Sequence, residues 1–139
     1  PEENRPADGK RDSELPPGEH PLVALHRLVE LAAGIQQAVP SLAVVGTGYS
    51  YLRALMPPVA AGVVRSGGAR IIGLGRQGLA YPEFARDVLR AGVMAPDRCC
   101  ITCGLCSELL RRGGPVGCPV HDAEVYRPVL RRARQRESG

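Results

Sequence analysis

All five cysteines of the chain fall between Cys99 and Cys118. Cys100, Cys103 and Cys106 follow one another with two residues between each, and eleven residues separate Cys106 from Cys118, which Pro119 follows. Such spacing suits a tight loop that turns three sulfurs toward one centre, with the fourth arriving from a distance. Three close cysteines and a remote Cys-Pro form a recurring frame for a [4Fe–4S] cluster, whose cuboidal shape offers one iron to each thiolate. Cys99 is either the spare thiol or the replacement for Cys100 in an x3–x2 arrangement.

Two other chemistries use the same residues. Cys103-x2-Cys106 and Cys118-x2-His121 make two pairs, and a Cys3His tetrahedron is an ordinary structural zinc site. That solution leaves Cys100 without a task, which places it behind iron–sulfur. Disulfides come third, because five is an odd number and CxxC spacing without a signal peptide favours metal or redox chemistry. These features point to a cytoplasmic protein.

The elements that would position the cysteines read as alternating helices and strands. Residues 1–19 are polar, with six acids against three bases, and show no periodicity, as in a loop or disordered segment. Pro21 suits a first helical position, and Leu22, Leu25, Leu28, Val29, Ala32, Ile35 and Val39 recur at helical spacing on one stripe up to Pro40. Leu42–Val45 is a short apolar run, predicted as a strand buried on both faces. A helix is expected between Tyr51 and Val64, cleanest from Pro58, with a C-cap at Ser66–Gly68. Ile71–Leu74 is the second expected strand. A short turn then leads to a helix from Pro82 to about Arg90, closed by Gly92. Beyond the cysteine loop the pattern predicts a short helix over Ser107–Arg112 and a last one from about Asp122, a plausible N-cap, to Arg134. Helices alternating with wholly apolar strands imply an α/β fold built of βα units on a parallel sheet.

Both strands end in small residues. Gly46-Thr47-Gly48 and Gly75-Arg76 can bare backbone N–H groups toward a phosphate, and Arg76 can add a two-pronged charged grip. Either loop alone could be no more than a tight turn. The two in tandem with an arginine are more specific. A dinucleotide fingerprint is excluded, because Tyr51 stands where the third glycine is required.

The segments V-V-G-T-G-Y-S, I-I-G-L-G-R-Q-G-L-A-Y-P-E-F, C-I-T-C-G-L-C and G-C-P, in this order, resemble the C-terminal part of the Old Yellow Enzyme or NADH:flavin oxidoreductase family. The cysteine block resembles its iron–sulfur branch, which includes 2,4-dienoyl-CoA reductase and trimethylamine dehydrogenase. The resemblance spans roughly residues 20–126. It implies the C-terminal portion of a (β/α)8 TIM barrel, with the two strands as strands 7 and 8, plus a cysteine-rich cluster-binding extension. Residues 20–95 would be the last βα units, and 96–139 the cluster-binding segment with a basic terminal helix. Gly46, Thr47, Gly48, Gly75 and Arg76 then match the FMN phosphate site, and Cys100, Cys103, Cys106 and Cys118 the cluster ligands.

By the same resemblance the expected activity is an FMN-dependent oxidoreductase, with the cluster relaying electrons to or from the flavin. NAD(P)H would be an electron donor. Partners would be a small-molecule substrate and a redox partner, in a homo-oligomeric full-length enzyme. The family's substrate-binding and proton-donating residues lie on earlier strands that find no counterpart here, so no catalytic acid or base is named and the chain reads as a C-terminal fragment. Tyr49, Tyr51 and His121 are expected to pack or to support other residues. The competing class is a small zinc-binding interaction module with a basic tail.

Composition narrows the alternatives. Aromatic residues make up 4% of the chain and tryptophan is absent, while Gly and Pro number 17 and 13, so Ala, Val and Leu must do the packing. The net charge is +4, with Arg127, Arg131, Arg132, Arg134 and Arg136 gathered at the end. No aromatics interleave with these arginines to stack bases, which argues against nucleic acid. No apolar run approaches the roughly 18–20 residues of a membrane span.

Overall fold

The computed structural model describes residues 19–137. The polar stretch expected at 1–19 lies outside the described residues apart from Glu19.

The first helix, α1 (Pro21–Ala38), begins as its sequence demands. Pro21 occupies the first turn, and His20 caps it by accepting the Leu22 N–H on its side chain. The apolar stripe is only partly used. Ala24 and Leu25 are buried, whereas Leu22, Leu28, Ile35 and Val39 are exposed. Gln36 is buried in their place. Its amide donates to the Leu42 carbonyl at 2.8 Å and accepts the Val44 N–H at 3.0 Å, tying the helix to the first strand.

The strands are shorter than their apolar runs and shifted. β1 (Val45–Gly46) and β2 (Ile71–Ile72) form one parallel pair, Val45 opposite Ile71 and Gly46 opposite Ile72. Burial on both faces is not observed, since Val45 is 48% and Ile71 52% exposed. Among the described residues the sheet has two strands, and each keeps one unpaired edge. Gly73 is required by the pairing: a Cβ there would stand 2.9 Å from Val45 and 3.1 Å from Thr47.

Between the strands the chain makes a 3-10 segment over Tyr49–Leu55, kinked at Arg53, and then α2 (Met56–Arg65). Pro57 and Pro58 sit in the first turn of α2, where proline needs no N–H, so the helix starts earlier than Pro58. The left-handed Gly67 follows its end. After β2, a short helix α3 (Arg76–Ala80) replaces the expected turn, and α4 (Phe84–Ala91) closes on the left-handed Gly92. The last elements are α5 (Leu105–Arg111) and α6 (Ala123–Glu137). Pro128 lies inside α6. The main apolar core gathers Leu25, Tyr49, Met56, Ala60, Tyr81, Met94 and Cys99. A smaller one holds Ala80, Cys100 and Cys118. The architecture is a parallel βα pair with helices about it.

Candidate functional site

The two strand-tip loops lie side by side. The Gly73 N–H donates to the Gly46 carbonyl at 2.8 Å, carrying the parallel ladder one step beyond the strands. Gly46 is buried against Tyr49, whose hydroxyl stands 2.8 Å from where a Cβ would be. Gly48 takes φ 94°, a left-handed conformation that glycine adopts without strain. Thr47 and Gly48 are exposed, and the space about Gly75 is open, with no atom within 4 Å of a Cβ built there. Arg76 is half-buried at the first position of α3. The five residues expected at a phosphate thus share one edge of the molecule.

Tyr49 is wholly buried in the core beneath this loop, which makes it a packing residue as expected, and burial pushes its hydroxyl pKa up. Tyr51 makes an edge-on ring contact with His20, the cap of α1.

The cysteine segment is anchored before it begins. Arg98 stacks over the ring of Tyr81 at 4.1 Å and pairs with Glu83 and Asp87, while the buried Tyr81 donates its hydroxyl to Asp87. From there the two adjacent thiols diverge. Cys99 is fully buried in the main core, and its sulfur donates to the Ala95 carbonyl at 3.3 Å. Cys100 turns instead to the smaller cluster with Ala80 and Cys118. Its sulfur accepts the Thr102 N–H at 3.3 Å, as the Cys118 sulfur accepts the His121 N–H at 3.5 Å.

Thr102 (φ 58°) and Gly104 (φ 78°) bend the chain through left-handed conformations on either side of Cys103. Cys106 follows in the first turn of α5. Cys103 and Cys106 are half-buried and close enough to Cys100 for their charges to act on it. Burial pushes the Cys100 thiol pKa up, opposed first by the Thr102 N–H and then by the charge of Arg76. Burial likewise raises Cys99. Cys118 is set from the other side. The ring of Tyr126 on α6 occupies the space a Cβ would need at Gly117, and the Cys118 carbonyl accepts the Asp122 N–H at 3.0 Å.

Among the described residues, no three Cys, His, Asp or Glu side chains are gathered about a point that could hold a single metal ion. A tetrahedral zinc draws thiolates to about 2.3 Å from one centre. A cuboidal cluster takes each thiolate on a separate iron and so accepts a wider set. Two thiols whose charges act on Cys100, Cys118 packed beside it, and two main-chain N–H groups aimed at sulfur make a donor set of the second kind. His121 is turned to the main chain, its Nε2 lying 3.1 Å from the Cys99 carbonyl. A carbonyl only accepts, so Nε2 carries the proton.

Two polar residues that the sequence did not single out join the halves of the site. The Gln77 N–H donates to the Ser50 hydroxyl at 3.3 Å, and the Gln77 side-chain oxygen accepts the Cys100 N–H at 3.0 Å. A glutamine beside a glycine-rich turn carries no spacing signal, and only its burial marks it.

In comparisons with known proteins, no family model, no curated protein and no solved structure matches the chain.

Proposed function

We propose that this chain carries the FMN-phosphate loops and the [4Fe–4S] ligands of a flavin-dependent oxidoreductase. The observation that supports this best is the continuity of the two half-sites. Ser50, Gln77 and Cys100 are hydrogen-bonded in series from the first strand-tip loop to the cysteine loop, and the charge of Arg76 acts on Cys100. A separate zinc module would have no use for that link. When bound, the flavin and cluster supply hydride and single-electron chemistry.

The chain's own residues bind and orient. Gly46, Thr47 and Gly48 with Gly75 offer main-chain N–H groups to a phosphate, and Arg76 supplies its countercharge. Cys100, Cys103, Cys106 and Cys118 are the cluster ligands. Cys99, whose thiol proton is engaged by a carbonyl in the core, is left out. Thr102 and His121 present N–H groups to the ligand sulfurs. Substrate, nicotinamide donor and redox partner would be met elsewhere in the complete enzyme.

The test is iron, sulfide and zinc analysis of anaerobically purified protein together with its visible spectrum. Iron and sulfide with a broad absorbance in the blue are expected, lost on changing any of the four ligands to serine. A colourless protein with stoichiometric zinc would overturn the reading.

A further inference from the structure

Gln77 is 1% exposed, and burying an amide costs free energy unless its polar atoms find partners. One half is satisfied. Oε1 accepts the Cys100 N–H at 3.0 Å, a bond that also decides which way the amide faces, since a flipped group would set NH2 against N–H. The other half is not, because Nε2 is buried without a partner among the described residues. Nε2 belongs to the same small planar group and so cannot lie far from the Cys100 main chain. Cys100 packs in one cluster with Cys118, Ala80, Leu79 and Val120, so the sulfur of a second proposed ligand lies beside it.

We infer that Gln77 is a positioning residue of the cysteine centre, its Oε1 holding the Cys100 main chain and its Nε2 donating to a sulfur of the bound cluster. The inference rests on the iron–sulfur reading above. Hydrogen bonds to cluster sulfurs help set the reduction potential. A donor there favours the more negative, reduced state, so Gln77 makes the centre easier to reduce. The same residue links the strand-tip loop to the first ligand, through its main-chain N–H on Ser50 and its side chain on Cys100.

The test compares the full chain with Gln77→Met, which keeps length and burial and removes both functions. The variant is expected to show a more negative midpoint potential and roughly 10–100-fold weaker iron retention against a chelator, the usual cost of removing a partner behind the ligands. A second measurement needs no variant. Protein labelled with 15N in the glutamine amide should show nitrogen coupling to the reduced cluster by pulsed EPR. An unchanged potential and retention in a folded Gln77→Met, or absence of the coupling in wild type, overturns the inference. A wild type that binds no iron or sulfide fails earlier and overturns the centre itself.

Discussion

Cys99 and Cys100 are adjacent yet sit in different surroundings, and their substitution should separate them. Cys99→Ala removes one buried sulfur from the main core and is expected to cost about 1 kcal/mol, the order of one buried methylene, with the visible absorbance intact. Cys100→Ala should abolish that absorbance. Urea melts and spectra of the two proteins check both halves, and loss of colour in Cys99→Ala would reverse the assignment of the first ligand. Arg76 is the other decisive residue. Arg76→Ala should weaken FMN retention in the complete enzyme by roughly 1.5–3 kcal/mol, the range for a hydrogen bond to a charged group. Arg76→Lys should restore only part, because a point charge lacks the planar fork. Equal FMN affinity in Arg76→Ala and wild type, measured by titration, would remove the phosphate assignment.

At the level of elements, the placement of Cys118, the proposed remote ligand, depends on how α6 meets α5. Glu108, 3% exposed, accepts two bonds of 2.7 Å from Arg134 and one of 2.9 Å from Arg112. These partners, Arg134 first, hold its carboxyl below the usual range. A depressed carboxylate adds stability that is complete above its unfolded pKa, about 4.3, and is lost as pH falls through the lower folded value. Glu108→Gln should therefore destabilise by roughly 1.5–3 kcal/mol at neutral pH, toward the low end because Arg134 is half-exposed. The gap from wild type should close in acid below that pH. A gap that persists unchanged, followed by thermal melts across the range, would deny the ion pair its role. The clasp was invisible in the sequence, because residues 26 positions apart share no periodicity. What was legible was local. Pro21 opening α1, Gly92 closing α4 and the bend at Gly67 follow from backbone chemistry alone. The sheet was less legible, since apolar runs mark a strand's neighbourhood but the pairing partner sets its length. Gln36 and Gln77, buried through hydrogen bonds, carry no mark in the sequence. The cysteine spacing was legible, but the division between Cys99 and Cys100 lay in which core each side chain enters.

Across the whole molecule, apolar surface is left open. Leu31 on α1, Leu42, and Val45 and Ile71 on the paired strands are all about half-exposed. A two-stranded parallel sheet with unpaired outer edges invites association. Residues 1–139 expressed alone are therefore expected to self-associate and to show no flavin reductase activity. An N-terminal extension to a full barrel should make the protein monodisperse in light scattering. A monomeric, cooperatively melting 139-residue chain that binds FMN and oxidises a nicotinamide would overturn the barrel reading.

The segment from Arg112 to Gly117 crosses the surface between α5 and Cys118, with Gly113, Pro115 and Val116 exposed. Exposed loop tips are where proteases cut. With all four ligands engaged the two ends of this segment would be stapled to one object. Without that, they would be held by main-chain bonds from Gly113 and Gly114 to α5, by Tyr126 over Gly117 and by the Glu108 clasp. With the proposed cluster bound, limited trypsin digestion should cleave after the exposed Arg111 several-fold more slowly than in protein stripped of it. A cell's degradation machinery would meet the same difference, so the loop would also govern how long an unfilled chain survives.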